Sequence, residues 1–148
     1  MNQKTTREVQ NVRPDGGHRV PILGAVTLSP DGQRVVYELG WGGFSFSTGY
    51  TTQALRRVVL DGQVGKEYDA FDLDEFSFSD DSRHFAYEVH GPPDKNAKGK
   101  SLVVTDGQEG KLYDEVIHRS MSLFSGEGSV TYVAREGRKF YRATQSAR

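Results

Sequence analysis

The sequence contains no cysteine. A disulfide framework and a thiolate-held zinc are both excluded, so stability must come from packing. Nor does charge of one sign prevail. Nineteen basic residues face twenty acidic ones, for a net charge of −1. Such a balance gives no field to gather nucleic acid or an anionic membrane, and neither is expected as a partner. The longest basic cluster is Arg56-Arg57. No apolar run approaches the ~20 residues of a membrane span. The segment Met1–Glu8 lacks the apolar stretch of an intact secretory signal. That reads as cytoplasmic by default, or as periplasmic or secreted if a signal has been removed.

Signatures of catalysis are missing as well. There is no Gly-x-Ser-x-Gly elbow, and without Cys there is no thiolate nucleophile. His18, His84, His90 and His118 show no metal-binding spacing of the His-Glu-x-x-His kind. Gly40–Gly43 leads into further strand rather than a helix, so it is no phosphate loop. The expectation is a non-enzymatic chain with no catalytic residue, no cofactor and no assigned metal.

What is present is repetition. Residues 58–69 read VVLDGQVGKEYD and residues 103–114 read VVTDGQEGKLYD, identical at nine of twelve positions. A second element precedes each. It is VTLSPDGQRVVY at 26–37, FSFSDDSRHFAY at 76–87, and a shorter copy, LFSGEGSVTY, at 123–132. Val26, Leu28, Val35 and Tyr37 alternate with small or polar residues, as half-buried strands do. Ser29-Pro30-Asp31-Gly32 between them is a turn: Pro presets φ at its second position, and Asp and Gly supply the rest. Leu55–Leu60, the Asp61–Gly65 turn and Lys66–Phe71 complete four antiparallel strands. A repeat of ~40–50 residues made only of strands is the pattern of propeller blades.

The spacing predicts an all-β chain. Blade 1 spans 23–71. Blade 2 spans 72–117, with strands near 75–79, 84–89, 101–105 and 111–117. A partial blade 3 spans 118–143, with strands near 120–125, 129–135 and 138–143. Blade 3 is one strand short. Arg7–Val12 matches Lys66–Phe71 in charge and apolar position, which makes residues 7–12 a candidate exchanged strand; the alternative is a frayed arm. Asp61 and Asp106 are expected to accept backbone N–H groups in their turns. Tyr68 and Tyr113 are expected to pack between neighbouring blades. His84 is expected to face outward.

Ser29-Pro30-Asp31-Gly32 with Tyr37, and the later Asp-Gly-x-x-Gly-Lys, resemble the TolB-like, WD-like propeller repeats of bacterial proteins. Ser79-Asp80-Asp81-Ser82 with Tyr87 matches in part, and Ser125–Gly128 with Tyr132 is degenerate. The resemblance covers roughly residues 20–142. It implies a ring of several blades, usually six or seven. Three blades do not close a ring, so it also implies a homodimer forming a six-bladed ring, or a fragment of a longer propeller.

Binding candidates follow from the loops. The segment 40–53 carries Trp41, Phe44, Phe46 and Tyr50, aromatic faces suited to a flat ligand, a sugar or a protein hot spot. The plain alternative is that they cap the core and extend the hairpin. The segment 90–100 is polar and basic, and reads as a solvated hairpin. His118, near the same end, is the histidine most worth testing. Asp69, Asp72, Asp74 and Glu75 gather four carboxylates that would suit a hard cation such as Ca²⁺, though an ordinary solvated acidic turn is the simpler reading. The expected function is a non-catalytic scaffold binding a protein or small ligand on the long-loop face. The alternatives are a lectin-like assembled propeller and an accessory propeller of a larger enzyme.

Overall fold

The computed structural model describes residues 20–44, 51–69, 72–90, 99–123 and 128–146, the side chains of 20–25, 41–44, 51–55, 69, 72–74 and 123 excepted. Among them there is no helix, and the chain forms three antiparallel sheets. Sheet 1 has the order β1(Val20–Leu28), β2(Val35–Phe44), β3(Thr51–Leu60), β4(Gln63–Asp69). Sheet 2 repeats it with β5(Asp72–Phe78), β6(Phe85–His90), β7(Ser101–Thr105), β8(Gln108–Glu109). Sheet 3 places β11(Ser129–Glu136) between β12(Lys139–Ser146) and two short pieces, β9(Glu115–Val116) and β10(Ser122–Leu123), which share its other edge. The expected strand 111–117 is therefore divided. Tyr113 bridges to Ser101, while Glu115 and Val116 pair with β11. The candidate strand 7–12 lies outside the described residues.

The hairpin turns are held by a side-chain device that both copies share. Ser29 Oγ donates to Asp31 Oδ1 at 2.6 Å and accepts from Arg34 N–H at 3.0 Å. Ser79 Oγ donates to Asp81 Oδ1 at 2.6 Å and accepts from His84 N–H at 3.0 Å. The bond from Ser29, followed by that from Gln33 N–H, holds the Asp31 carboxyl below its usual range. Proline is thus dispensable: Asp80 replaces Pro30 and the turn keeps its geometry. Gly32 sits at φ +70°, and Ser82 takes the equivalent place at φ +61°. The second turn is fastened to the first, since Ser82 Oγ accepts from Asp31 N–H at 3.2 Å. Arg34 also donates to the carbonyls of Ser82 and Arg83 at 3.1 and 3.0 Å.

Asp61 and Asp106 do accept backbone N–H groups, but from the neighbouring hairpin rather than their own turn. Val35 N–H reaches Asp61 Oδ1 at 2.9 Å, and Phe85 N–H reaches Asp106 Oδ1 at 2.8 Å. Each carboxylate's other oxygen meets a base, Arg34 at 2.9 Å or His84 Nδ1 at 2.7 Å. His84 is therefore engaged in the hairpin and not simply turned to solvent.

Packing follows from strand alternation. Val36, Val58 and Tyr68 of sheet 1 bury against Phe85, Tyr87, Val89, Leu102 and Val104 of sheet 2. The opposite face of sheet 2, with Ala86 and Val103, buries against Val116, Val130, Tyr132 and Ala134 of sheet 3. Sheet 2 is thus covered on both sides, and β6 and β7 are buried almost throughout. Tyr68 and Tyr113 lie between successive sheets, as expected. Tyr68 Oη donates to Glu109 Oε1 at 2.8 Å, and Lys66 pairs with the same oxygen. One repeat later, Lys111 reaches Glu136 at 2.7 Å.

Two outcomes follow. Ser79→Ala leaves the part-buried His84 N–H without its Oγ partner, and urea unfolding should register a loss of about 1–3 kcal/mol. Glu109 is held below its usual carboxyl range, first by the Lys66 bond and then by Tyr68. A lowered native pKa means stability present above the unfolded carboxyl pKa and lost as pH falls through the native value. Glu109→Gln should lower melting temperature at pH 7 and flatten the acid limb below about pH 4. An unchanged acid limb would show that this contact does not join the sheets.

Candidate functional site

Glu38 and Glu88 occupy equivalent positions fifty residues apart, and both are buried. Each follows a tyrosine, Tyr37 or Tyr87, and so points to the opposite face of its strand, toward the next sheet. Burying a carboxylate costs several kcal/mol unless it is paired. In sheet 1 the partner is Arg56, whose Nη1 meets Glu38 Oε1. The position equivalent to Arg56, in the 45-residue register of the second repeat, is Ser101. Ser101 carries no charge, and its Oγ is taken up by Val116 N–H at 2.6 Å, a tie to sheet 3.

Glu88 has different company. His90, two residues on and on the same face, brings Nε2 to 3.0 Å from Glu88 Oε1, in a direction that makes no hydrogen bond. Among the described residues, neither Glu88 oxygen receives one. Glu75 approaches from β5. The β5–β6 register slips between Asp74 and Ser77, so that two residues oppose one. A bulge of this kind re-aims a side chain. Glu75 sits within it at φ +54°, a conformation costly for a non-glycine residue. Its carboxylate is only 8% exposed, with Oε1 3.5 Å from His118 Nδ1. Glu75, Glu88 and His118 each offer a ligand atom, and all three atoms lie within 4.8 Å of one another.

His118 reaches the cluster from sheet 3. It stands in a turn, closed by Ser120 N–H to Ile117 O at 3.1 Å, that separates β9 from β10. The following residue, Arg119, has φ +59°. Five described non-glycine residues have positive φ: Asp61, Ser82, Asp106, Glu75 and Arg119. The first three belong to the repeated turns. The other two line one cavity of about 390 Å³, together with Ser77, His118 and Met121. The cavity opens at the boundary of sheets 2 and 3.

The residues singled out from the sequence divide accordingly. Trp41 and Phe44 fall in β2, which continues to residue 44, so the 40–53 segment is strand at both ends and not one long loop. Their side chains, with Phe46 and Tyr50 entirely, lie outside the described residues. Asp69 ends β4, and Asp72 and Asp74 fall in β5, opposite His90 and Glu88 in the register. Their side chains are likewise outside. Glu75 lies in the β5 bulge with its carboxylate only 8% exposed, beside His118. His118 is placed at the cluster. Glu88 was missed, yet its signal was in the repeat, where a glutamate is kept while its arginine is exchanged for serine. Burial also pushes Tyr87 up to about 12, so its hydroxyl stays protonated and offers no base.

Comparison with protein-family models, with curated proteins and with solved structures finds no match in any of the three.

The Glu38–Arg56 pair is testable by itself. Arg56→Met strands a buried charge and should cost on the order of 3 kcal/mol in denaturant unfolding. Adding Glu38→Gln should recover most of that loss. Equal losses in the single and double variants would show that Arg56 acts through packing alone.

Proposed function

We propose that this chain is a non-catalytic scaffold of the TolB-like, WD-like propeller type, three blades to a chain, and that two copies close a six-bladed ring. The observation that carries the reading is a mismatch of faces. The leading face of sheet 2, with Phe76, Phe78, Tyr87 and Val104, is covered by sheet 1. The equivalent residues of sheet 1 are Val26, Leu28, Tyr37 and Val59. Val26 and Leu28 are 57% and 63% exposed, apolar side chains in the place where a preceding sheet belongs. At the other end of the stack, Phe140 on β12 is also exposed.

A second copy supplies the missing cover. Its sheet 3 would lie on the leading face of sheet 1, and the two-fold related contact would close the ring. The ligand, a protein or small molecule, would sit on the face where β2 and β6 end and β3 and β7 begin. The fold class carries no activity by itself, and the binding role rests on this placement.

Sedimentation equilibrium at micromolar concentration should give twice the 16.5 kDa chain mass. Leu28→Glu should reduce it to one chain while leaving the circular dichroism of the sheets intact. A wild-type monomer whose melting is insensitive to Leu28→Glu would overturn the reading.

A further inference from the structure

We infer that Glu75, Glu88 and His118 form a binding site for one divalent transition-metal ion of the zinc type, at the boundary of sheets 2 and 3. Glu88 carries the inference. It is 0% exposed, neither oxygen receives a hydrogen bond from the described residues, and a second carboxylate stands within 4.8 Å. Burying a carboxylate beside a second one is costly unless a cation is placed between them. Sheet 1 shows how the fold solves this problem when it needs only rigidity: an arginine is placed on Glu38. Sheet 2 keeps the glutamate, exchanges the arginine for Ser101, and bends β5 to bring a second carboxylate in. That substitution removes a fixed cation and adds donor atoms.

The donors define the ion. Two carboxylate oxygens and one imidazole nitrogen suit Zn²⁺ and its neighbours better than Ca²⁺ or Mg²⁺, which favour oxygen alone. Around zinc, ligand bonds of about 2.0–2.2 Å put donors no more than about 4.4 Å apart, so a small contraction of the side chains closes the set. Three protein donors leave a fourth position, and the cavity with Arg119 on its wall gives that position access to solvent or to an anionic ligand. His90 stands on the same face, with Nε2 3.0 Å from Glu88 Oε1. The site lies within one chain and does not depend on ring closure.

The test is equilibrium dialysis of the full chain against ZnCl₂, with melting followed in parallel. The expected result is one Zn²⁺ bound per chain, a melting temperature raised by ZnCl₂, and no comparable rise with MgCl₂. Glu88→Gln keeps the shape and removes the charge. His118→Ala alters a side chain that is 53% exposed and should leave the fold intact. Each should weaken zinc binding by more than about tenfold. Glu88→Gln should melt no lower than wild type in the absence of metal. Failure of wild type to saturate at one ion per chain, or wild-type affinity in folded His118→Ala, would overturn the assignment. If Glu88→Gln does not fold, the His118→Ala comparison decides alone.

Discussion

Phe85, Tyr87 and Val89 point to one side of sheet 2, and Ala86 and Val103 to the other. Neither side is suited to water, so sheet 2 needs a neighbour on each face, and the rest of the structure is arranged by that requirement. Sheets 1 and 3 meet it with Tyr68 and Tyr132, the two largest fully buried side chains among the described residues. The 45- to 50-residue repeat then makes the stack directional, because equivalent residues face the same way in each sheet. Polar ties sit at the rims, where Arg34 reaches the next turn and Lys66 and Lys111 reach the next sheet's glutamates.

A directional stack has unequal boundaries only where the repeat departs from itself. The first boundary holds Glu38 with Arg56, a closed pair. The second holds Glu88 with histidines and a second glutamate beside a cavity. The strained positions agree with this division. Turn residues Asp61, Ser82 and Asp106 adopt positive φ because the repeat needs it. Glu75 and Arg119 adopt it only at the second boundary. Strain of about 1–3 kcal/mol per residue persists where surrounding structure holds it, often at binding sites.

Much of the fold was legible in the sequence. Alternation over 26–37 and 76–87 located the hairpins, and the Asp-Gly turns located the third and fourth strands. Ser79–Ser82 was correctly aligned with Ser29–Gly32 because the serine hydroxyl and the third-position aspartate, rather than proline, hold the turn. The division of 111–117 between two sheets was not legible, because the segment read as one continuous strand until sheet 3 competes for its second half. The site was less legible still. The bulge at Glu75 leaves no mark in composition, and four nearby carboxylates read as a solvated turn. The exchange of Arg56 for Ser101 was visible in the repeat, but its meaning depends on Glu38 and Glu88 being buried, which alternation alone does not settle.

The central claim is the order of the stack, with sheet 2 between the other two and the faces running one way. Nuclear Overhauser contacts between tyrosine rings test it directly, since Tyr113 and Tyr132 have ring centroids 6.1 Å apart and Tyr68 lies in the core with Tyr87. The account predicts cross-peaks for Tyr113–Tyr132 and Tyr68–Tyr87 and none for Tyr68–Tyr132, in one copy or between copies. A Tyr68–Tyr132 cross-peak would contradict it.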